Sequence, residues 1–217
     1  MLSRIESRIG GARTLATCSA GSGWPKRGVY FFFEPGETRS GSGTGPRVVR
    51  VGTHAVTSTS RTTLWNRLSQ HKGTGSLGGN HRGSVFRLLV GSALAAREPS
   101  LAVPTWAKKP GSPEIRNAER TLERAVSEYI CAMPFIWVEV ADDPSPTCRR
   151  AYIERNSIAL LSGVGAHGAG PADPPSQNWL GKSCPHPDVK PSGLWNSRHV
   201  RETYDPAFLD ELRRRRS

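Results

Sequence analysis

One stretch of the chain, residues 28–71, constrains the fold most strongly. It opens with Gly-Val-Tyr-Phe-Phe-Phe-Glu at residues 28–34, passes through a Gly/Ser/Thr-rich segment and continues with Arg-Val-Val-Arg-Val-Gly-Thr-His at residues 47–54. Both runs are rich in β-branched and aromatic residues, which predicts two strands joined by a loose hairpin. Residues 62–71 begin with threonines that are able to cap a helix. The stretch therefore predicts strand, hairpin, strand and helix in that order.

The predicted helix carries two cations on its apolar stripe. Leu64, Arg67, Leu68 and His71 stand at i, i+3, i+4 and i+7, so they share one face. Burying a cation against a sheet is costly unless an anion meets it, and this helix contains no acid. Taken alone, the pattern favours an Arg67 that snorkels to solvent and a His71 at the edge of the core.

Five short motifs follow one another along the chain: Gly28-Val29-Tyr30, Arg50-Val51-Gly52, Arg67 with His71, Glu154, and Asn178. In type and order they resemble the motifs of the GIY-YIG nuclease family, and most closely those of its type II restriction endonuclease branch. The resemblance spans roughly residues 24–200. It departs from the family in the second motif, where Arg50 replaces the tyrosine.

The resemblance implies the GIY-YIG fold and a DNA endonuclease. Together with the pattern of elements, it predicts an α/β (α+β) domain with a small, mainly antiparallel sheet flanked by helices. The implied activity is sequence-specific, restriction-type hydrolysis of phosphodiester bonds in double-stranded DNA, with Mg²⁺ or Mn²⁺ as cofactor. The alternatives are a structure-specific DNA repair nuclease, which would use the same residues, and a catalytically silent DNA-binding protein.

The same resemblance implies a role for each matching side chain. Tyr30 would accept a proton from water, Arg67 would clamp the phosphate, and His71 would hold the water or Tyr30 in place. Glu154 would bind the metal, because Mg²⁺ takes one or two protein carboxylates and completes its octahedron with water and phosphate oxygens. Asn178, which follows a Gly/Ala/Pro-rich loop, would brace the site.

Arg50 is expected to assist Tyr30. Tyrosine is a poor base at its reference pKa of about 10, so a cation beside it would help, and facing residues of adjacent antiparallel strands lie about 5 Å apart. Val49 and Val51 flank Arg50, so strand alternation predicts that Arg50 lies on the face opposite to both valines. A one-residue shift of register would turn Arg50 away from the site.

Residues 72–83 form a loop rich in glycine and free of acids. Its polar and basic members are Lys72, Asn80, His81 and Arg82. Glycine lets backbone amides approach phosphate, but it also loosens a chain. The loop is therefore either a DNA contact through these four residues or a flexible connector.

The remaining elements complete one domain. We expect helices over residues 84–97, from Ser112-Pro113 to Tyr129 and from Ser145-Pro146 to about Ser162, and a buried strand over residues 135–140. On the last helix Glu154 shares a face with core residues. Without the family resemblance, the favoured interpretation is an ion pair with Arg150 or Arg155.

The charge and the cysteine content of the chain limit its possible partners and cellular location. The 217 residues carry 30 Lys/Arg against 18 Asp/Glu, a formal net charge of +12, which suits a polyanion such as nucleic acid. No apolar run is long enough to predict a membrane span. The four cysteines show no paired spacing, which favours a reducing compartment, and we expect a cytoplasmic protein. We also expect a homodimer, because a two-fold protein reads a symmetric DNA site most simply.

Three segments are expected: an N-terminal arm at residues 1–23, the nuclease domain at 24–200 and a basic C-terminal helix or tail at 201–217. The arm lacks an h-region and is interpreted as mobile or lightly packed, with a mitochondrial transit peptide as the alternative. Arg213–Arg216 form a basic run that is either solvated or a phosphate contact.

Overall fold

The computed structural model describes residues 6–7, 9–74, 78–108, 112–165 and 168–214. Within these ranges four strands form one sheet: β1 (Arg13–Thr14), β2 (Gly28–Thr38), β3 (Pro46–Gly52) and β4 (Pro134–Glu139). Their order across the sheet is β1-β4-β2-β3, and every pairing is antiparallel. The predicted small antiparallel sheet is confirmed.

Seven α-helices lie in the described ranges. They are α1 (Leu64–Lys72), α2 (Val85–Arg97), α3 (Pro113–Ala118), α4 (Arg120–Cys131), α5 (Arg149–Ser162), α6 (Val189–Ser192) and α7 (Phe208–Arg214). Short 3₁₀ turns occupy Leu15–Thr17, His81–Gly83, Pro99–Leu101 and Leu180–Ser183. The α+β class predicted from the sequence is therefore confirmed. None of the described helices combines the length and apolar character that a membrane crossing requires.

Both faces of the sheet are covered. Tyr30, Phe32 and Phe135 belong to a cluster with apolar residues of α1, α2 and α4, whereas Phe31 and Ile136 belong to a second cluster with α5 and α7. Burial on both faces explains why the central strands read as nearly continuous apolar runs rather than as alternating ones.

Helix α1 starts where the threonines predicted it. Thr63 Oγ1 accepts a hydrogen bond from the Asn66 amide at 3.1 Å, and Asn66 Oδ1 accepts one from the Thr63 amide at 2.9 Å. This reciprocal capping box satisfies backbone donors that the first turn leaves unpaired. The Leu64 amide also donates to the Lys26 carbonyl at 3.0 Å, which ties the start of the helix to the segment just before β2.

Two predicted helix boundaries are wrong. The helix expected from Ser112 to Tyr129 is broken at Glu119, which turns into the core and accepts hydrogen bonds from Arg82 at 2.6 and 2.9 Å. Helix α5 begins after Cys148 rather than at Ser145, because Ser145 Oγ caps a turn by accepting from the Thr147 amide. The predicted end of α5, at a left-handed Gly163, is confirmed.

The chain ends contribute more to the core than expected. Arg13 and Thr14 pair with β4 and Leu15 is fully buried, so this part of the supposed loose arm is packed. The Arg13 guanidinium also lies 4.9 Å from the centre of the Trp137 ring. At the other end, Phe208 joins the core through α7, while residues 1–5, 8 and 215–217 lie outside the described ranges.

Candidate active site

A bulge in β3 sets the direction of Arg50. Phe32 pairs with Arg50, but Phe33 pairs with Val48, so Val49 is an extra residue in the ladder. Val49 therefore packs in the same cluster as Phe32, on the Arg50 side of the sheet, whereas Val51 packs on the other side. The expectation that both valines oppose Arg50 is wrong for Val49, because simple alternation does not survive a bulge.

Tyr30 lies across the glycine of the second motif. Tyr30 pairs with Gly52, and a Cβ atom added at Gly52 would lie only 2.3 Å from the Tyr30 hydroxyl oxygen. No residue with a side chain fits there without moving the phenol. Tyr30 can therefore occupy this position only because residue 52 is a glycine.

A buried hydrogen-bonded chain joins Tyr30, His71 and Ser84. The Tyr30 hydroxyl lies 2.7 Å from His71 Nε2, and Ser84 Oγ lies 2.8 Å from His71 Nδ1. Burial, with the charges of Arg67 and Arg50, holds the pKa of His71 well below its ordinary value. His71 is therefore a neutral imidazole at pH 7, with one donating and one accepting nitrogen. It is fully buried, so its predicted place at the core edge is wrong.

Arg50 extends from β3 toward the same point. Its Nη1 donates to the Trp195 carbonyl, and its guanidinium carbon lies 5.4 Å from the centre of the Phe86 ring. Burial lowers the pKa of Arg50, and the neighbouring Tyr30 and Glu154 oppose that shift. Arg50 Nε is buried and has no hydrogen-bond acceptor in the described part of the chain.

Arg67 approaches from α1 and is half-buried. Its Nη1 donates to the Gly83 carbonyl at 3.1 Å and to Gln70 Oε1 at 2.9 Å. Like that of Arg50, its Nε is buried without an acceptor among the described residues. The site therefore holds two guanidinium groups that each retain an unused buried donor.

Glu154 meets these groups from α5. Its Oε1 accepts a hydrogen bond from the Thr53 amide at 3.0 Å. Burial raises the pKa of Glu154, and Arg50 and the Thr53 amide counteract part of that rise. The alternative interpretation as an ion pair is wrong, because Arg150 pairs with Asp142 and Arg155 with Glu202.

An open cleft of about 810 Å³ lies where these elements meet. Its wall includes Arg50, Thr53, Arg67, Glu154, Asn196 and His199. Tyr30 and His71 are fully buried and lie behind the arginines rather than on the surface of the cleft. The cleft thus combines cations, one carboxylate and a buried tyrosine–histidine pair.

Comparison with known protein families shows to which family the chain belongs. A family model described as the GIY-YIG domain matches residues 1–216. The chain belongs to the GIY-YIG family. No curated protein and no solved structure matched it. Membership supports a nuclease that acts on DNA. Assignment to the restriction branch stays a prediction.

The GIY-YIG residues expected from the sequence are brought together with one exception. Tyr30, Arg50, Arg67, His71 and Glu154 converge on one region of the structure. Asn178 does not join them, since it is exposed and lies outside the wall of the cleft.

A different asparagine, Asn196, lines the GIY-YIG cleft. Its Nδ2 donates to the Val51 carbonyl at 2.9 Å and its Oδ1 accepts from the Val51 amide at 3.2 Å. The side chain thus pairs with the free edge of β3 like one residue of a fifth strand. The order of motifs along the chain favoured Asn178 as the asparagine of the site. No local sequence pattern marks Asn196, because its role depends on pairing with the edge of β3.

In the described part of the glycine-rich loop of this GIY-YIG domain, polar side chains make hydrogen bonds within the protein. Lys72 Nζ donates to the Cys18 carbonyl at 2.7 Å, and Asn80 Oδ1 accepts from the Arg82 amide at 3.1 Å. Arg82 forms its ion pair with Glu119. These three side chains have partners within the protein in this conformation, and a DNA contact through the loop stays a prediction.

His81 and Gly79 show the same inward packing. His81 is buried, with Nδ1 at 2.9 Å from Glu123 Oε1 and its ring 3.9 Å from that of Trp106. A Cβ atom at Gly79 would lie 2.1 Å from the guanidinium carbon of Arg87. Close packing therefore requires this glycine. Residues 75–77 of the loop lie outside the described ranges.

The donor set suits a hard cation held mainly by Glu154. Across the described residues, no three His, Cys, Asp or Glu side chains come together as a metal centre. Mg²⁺ needs only one or two protein carboxylates, because water and phosphate oxygens complete its octahedron. Glu154 Oε2 accepts no hydrogen bond within the described part of the chain, and Glu154 lines the cleft. One carboxylate oxygen is therefore available for a metal ion.

Proposed function

We propose that the protein is a Mg²⁺- or Mn²⁺-dependent endonuclease that hydrolyses phosphodiester bonds of double-stranded DNA at specific sequences. Family membership and the net charge of +12 support a nuclease acting on DNA. One observation carries the finer proposal: Arg50, Arg67 and Glu154 line a single cleft in front of the buried Tyr30–His71 pair. Phosphodiester hydrolysis needs a cation at the phosphate, a metal ligand and a proton acceptor, and these residue types supply all three.

Arg50 and Arg67 bind the scissile phosphate. Buried N–H groups in folded proteins nearly always have acceptors, yet the Nε of each arginine has none in the described structure. Phosphate oxygens placed between the two guanidiniums would satisfy both donors with charge-assisted hydrogen bonds.

Tyr30 and His71 handle the proton of the attacking water. When Nδ1 of His71 donates to Ser84 Oγ, Nε2 accepts the Tyr30 proton, and Tyr30 in turn accepts a proton from water. The charges of Arg67 and Arg50 depress the pKa of His71 in the free protein. A bound phosphate offsets those charges, so His71 becomes a better base when DNA is in place.

The reaction requires a small rearrangement, since the Tyr30 side chain has no exposed surface. Arg50 and Arg67 separate Tyr30 from the cleft, and both are held by backbone carbonyls, of Trp195 and Gly83. Binding of phosphate turns the guanidiniums toward the substrate and admits water to the Tyr30 hydroxyl. Glu154 would hold the metal ion, which would supply positive charge to the leaving oxygen.

The deciding experiment combines cleavage and binding. Plasmid DNA is incubated with the protein and Mg²⁺, and the ends of the products are mapped. Glu154→Ala should abolish cleavage while DNA binding remains, because the ligand serves the chemistry. Glu128→Ala, a matched change at an exposed position on α4, should cut like wild type.

Other outcomes favour the alternatives. Full cleavage in EDTA contradicts metal dependence, and cleavage confined to branched or damaged DNA indicates a structure-specific repair nuclease. Binding without cleavage under all conditions indicates a silent DNA-binding protein. The cytoplasmic location and the homodimer remain predictions from the sequence.

A further inference from the structure

A second groove adjoins the cleft of Arg50 and Glu154. It measures about 740 Å³ and lies between α1, the turn at His81–Gly83, α3 and the start of α4. Its wall includes Gln70, Asn80, Gly83, Arg116, Asn117 and Arg120. No acidic residue of the described chain contributes to that wall. The groove therefore offers amides and positive charge without any group that repels an anion.

Arg67 forms the partition between the groove and the cleft. Its side chain lines the cleft, yet its Nη1 donates to Gln70 and Gly83, which both line the groove. A ligand held by Arg67 in the cleft is thus one side chain away from the groove.

We propose that this groove binds the sugar–phosphate backbone of the cleaved strand next to the scissile phosphate; this inference rests on the proposed nuclease function. Consecutive phosphates of a DNA strand are spaced by about 3.4 Å of helix rise, so a phosphate at Arg67 brings its neighbours to the adjoining surface. The acid-free wall with Arg116 and Arg120 has the complementary charge.

The cations of the nearby loop and those of the groove differ in exposure. Lys72 and Arg82 are engaged by the Cys18 carbonyl and by Glu119, so their charges are directed into the protein. Arg116 and Arg120 are exposed on the opposite wall, one on each side of the helix break at Glu119. Because they are four residues apart, they lie on one face of successive helical turns and both reach the groove.

The test uses the full-length double variant Arg116→Gln/Arg120→Gln. Its affinity for a short fluorescent DNA duplex is measured with Ca²⁺ in place of Mg²⁺, at several salt concentrations. Each phosphate contact contributes about 0.9 to the slope of log K against log salt, so the slope should fall by up to about 1.8 and the affinity should weaken. The cleavage rate at saturating DNA with Mg²⁺ should be unchanged, because neither arginine contacts the scissile phosphate.

Arg97→Gln is the matched control. Arg97 is exposed at the far end of α2, about 20 Å along the helix from Ser84, and it lines neither cavity. This variant should keep the wild-type affinity and salt slope. Thermal melting of all variants establishes that they are folded.

Two results would contradict DNA binding by the groove while leaving the nuclease proposal intact, and a third would contradict both. If wild type binds and cuts DNA but the double variant binds with the same affinity and slope, the groove is not a DNA contact and the nuclease proposal stands. If the double variant loses cleavage rate and not affinity, the arginines act on Arg67 rather than on DNA. If wild type neither binds nor cuts any duplex, both proposals fail.

Discussion

The Tyr30 hydroxyl lies 2.7 Å from Nε2 of His71, and neither side chain has exposed surface. Two groups that can exchange a proton are thus buried, whereas Arg50 and Arg67 line the neighbouring cleft. Because both side chains are shielded from bulk solvent, nearby charges act on their hydrogen bond with little screening. The charges of Arg67 and Arg50 lower the pKa of His71, so we expect an anion bound in the cleft to raise the proton affinity of His71.

Gly52→Ala should displace Tyr30 from His71. The added methyl group would start 2.3 Å from the Tyr30 hydroxyl oxygen, so the ring must move. Overpacking of this kind costs about 1–3 kcal/mol of stability, and cleavage should fall while DNA binding is retained. Denaturant unfolding and cleavage rates measure the two effects. An active Gly52→Ala protein would show that the Tyr30 position is not needed.

Ser84→Ala should lower the cleavage rate by about tenfold or more, in the range seen when a hydrogen-bond partner that orients a functional histidine is removed. Ser84 Oγ is the partner of His71 Nδ1 and also caps α2 by accepting from the Arg87 amide. The loss should lie in kcat rather than KM, because the hydroxyl fixes a tautomer and does not touch DNA.

Ser84→Thr is the control for the lost cap. Its hydroxyl retains both hydrogen bonds, so it should restore most of the rate. If Ser84→Ala and Ser84→Thr lose rate equally, the hydroxyl is not needed and Ser84 acts only through packing.

The sequence predicted three of the four strands, the main helices and five of the six converging residues, because these depend on local patterns and on motif order; β1 lay in the supposed loose arm. Asn196 and the inward-facing loop were missed for a different reason. Asn196 matters only because its side chain pairs with the edge of β3, and Arg82 is neutralised by Glu119, 37 residues away along the chain. Such partners are set by tertiary packing and leave no local signal.

The bulge at Val49 shows the same limit on a smaller scale. Its apolar neighbours are what a regular strand would have, so nothing in residues 47–52 reveals that one residue is extra. Arg50 nevertheless faces Tyr30, because the bulge lies on the Val49 side of Arg50 and leaves the register of Arg50 and Gly52 intact.

His54 should make stability depend on pH. Its Nδ1 lies 2.9 Å from the Thr62 carbonyl oxygen, and burial lowers the pKa of His54 to about 4. Its pKa in the unfolded chain is about 6.5, so the unfolded state binds more protons between these values. The contribution of neutral His54 is therefore complete above pH 6.5 and is lost as the pH falls toward 4, by about 3 kcal/mol.

The measurement compares the unfolding free energy of wild type with that of His54→Gln between pH 7 and pH 4. Burial raises the pKa of Glu34 and Glu154, so these two groups make the unfolding free energy rise as the pH falls. Their effect is the same in wild type and variant, and it therefore cancels in the difference between the two unfolding free energies. The advantage of wild type over the variant should shrink as the pH falls. A constant difference would contradict a buried, neutral His54.

A homodimer should form on DNA, because one active site cuts one strand and a two-fold protein matches a symmetric site. Sedimentation of the free protein and of its DNA complex measures the mass directly. A monomer in both states that only nicks one strand would refute the prediction.

Arg50→Gln should change the pH dependence of cleavage. Arg50 and Tyr30 lie on the same face of adjacent strands, and the tyrosine hydroxyl is close enough to affect the pKa of Arg50. The permanent charge of the guanidinium favours the phenolate of Tyr30, so its removal should cost most rate at neutral pH and less at alkaline pH. Arg50→Lys should lie between, since an ammonium keeps the charge but cannot reproduce the guanidinium contact to the Trp195 carbonyl or the proposed contact to phosphate. DNA binding is measured separately, so that weaker phosphate contact is not mistaken for a slower proton transfer. If Arg50→Gln follows the wild-type profile across the whole pH range, the charge takes no part in the chemistry and Arg50 serves only to hold Trp195 against β3.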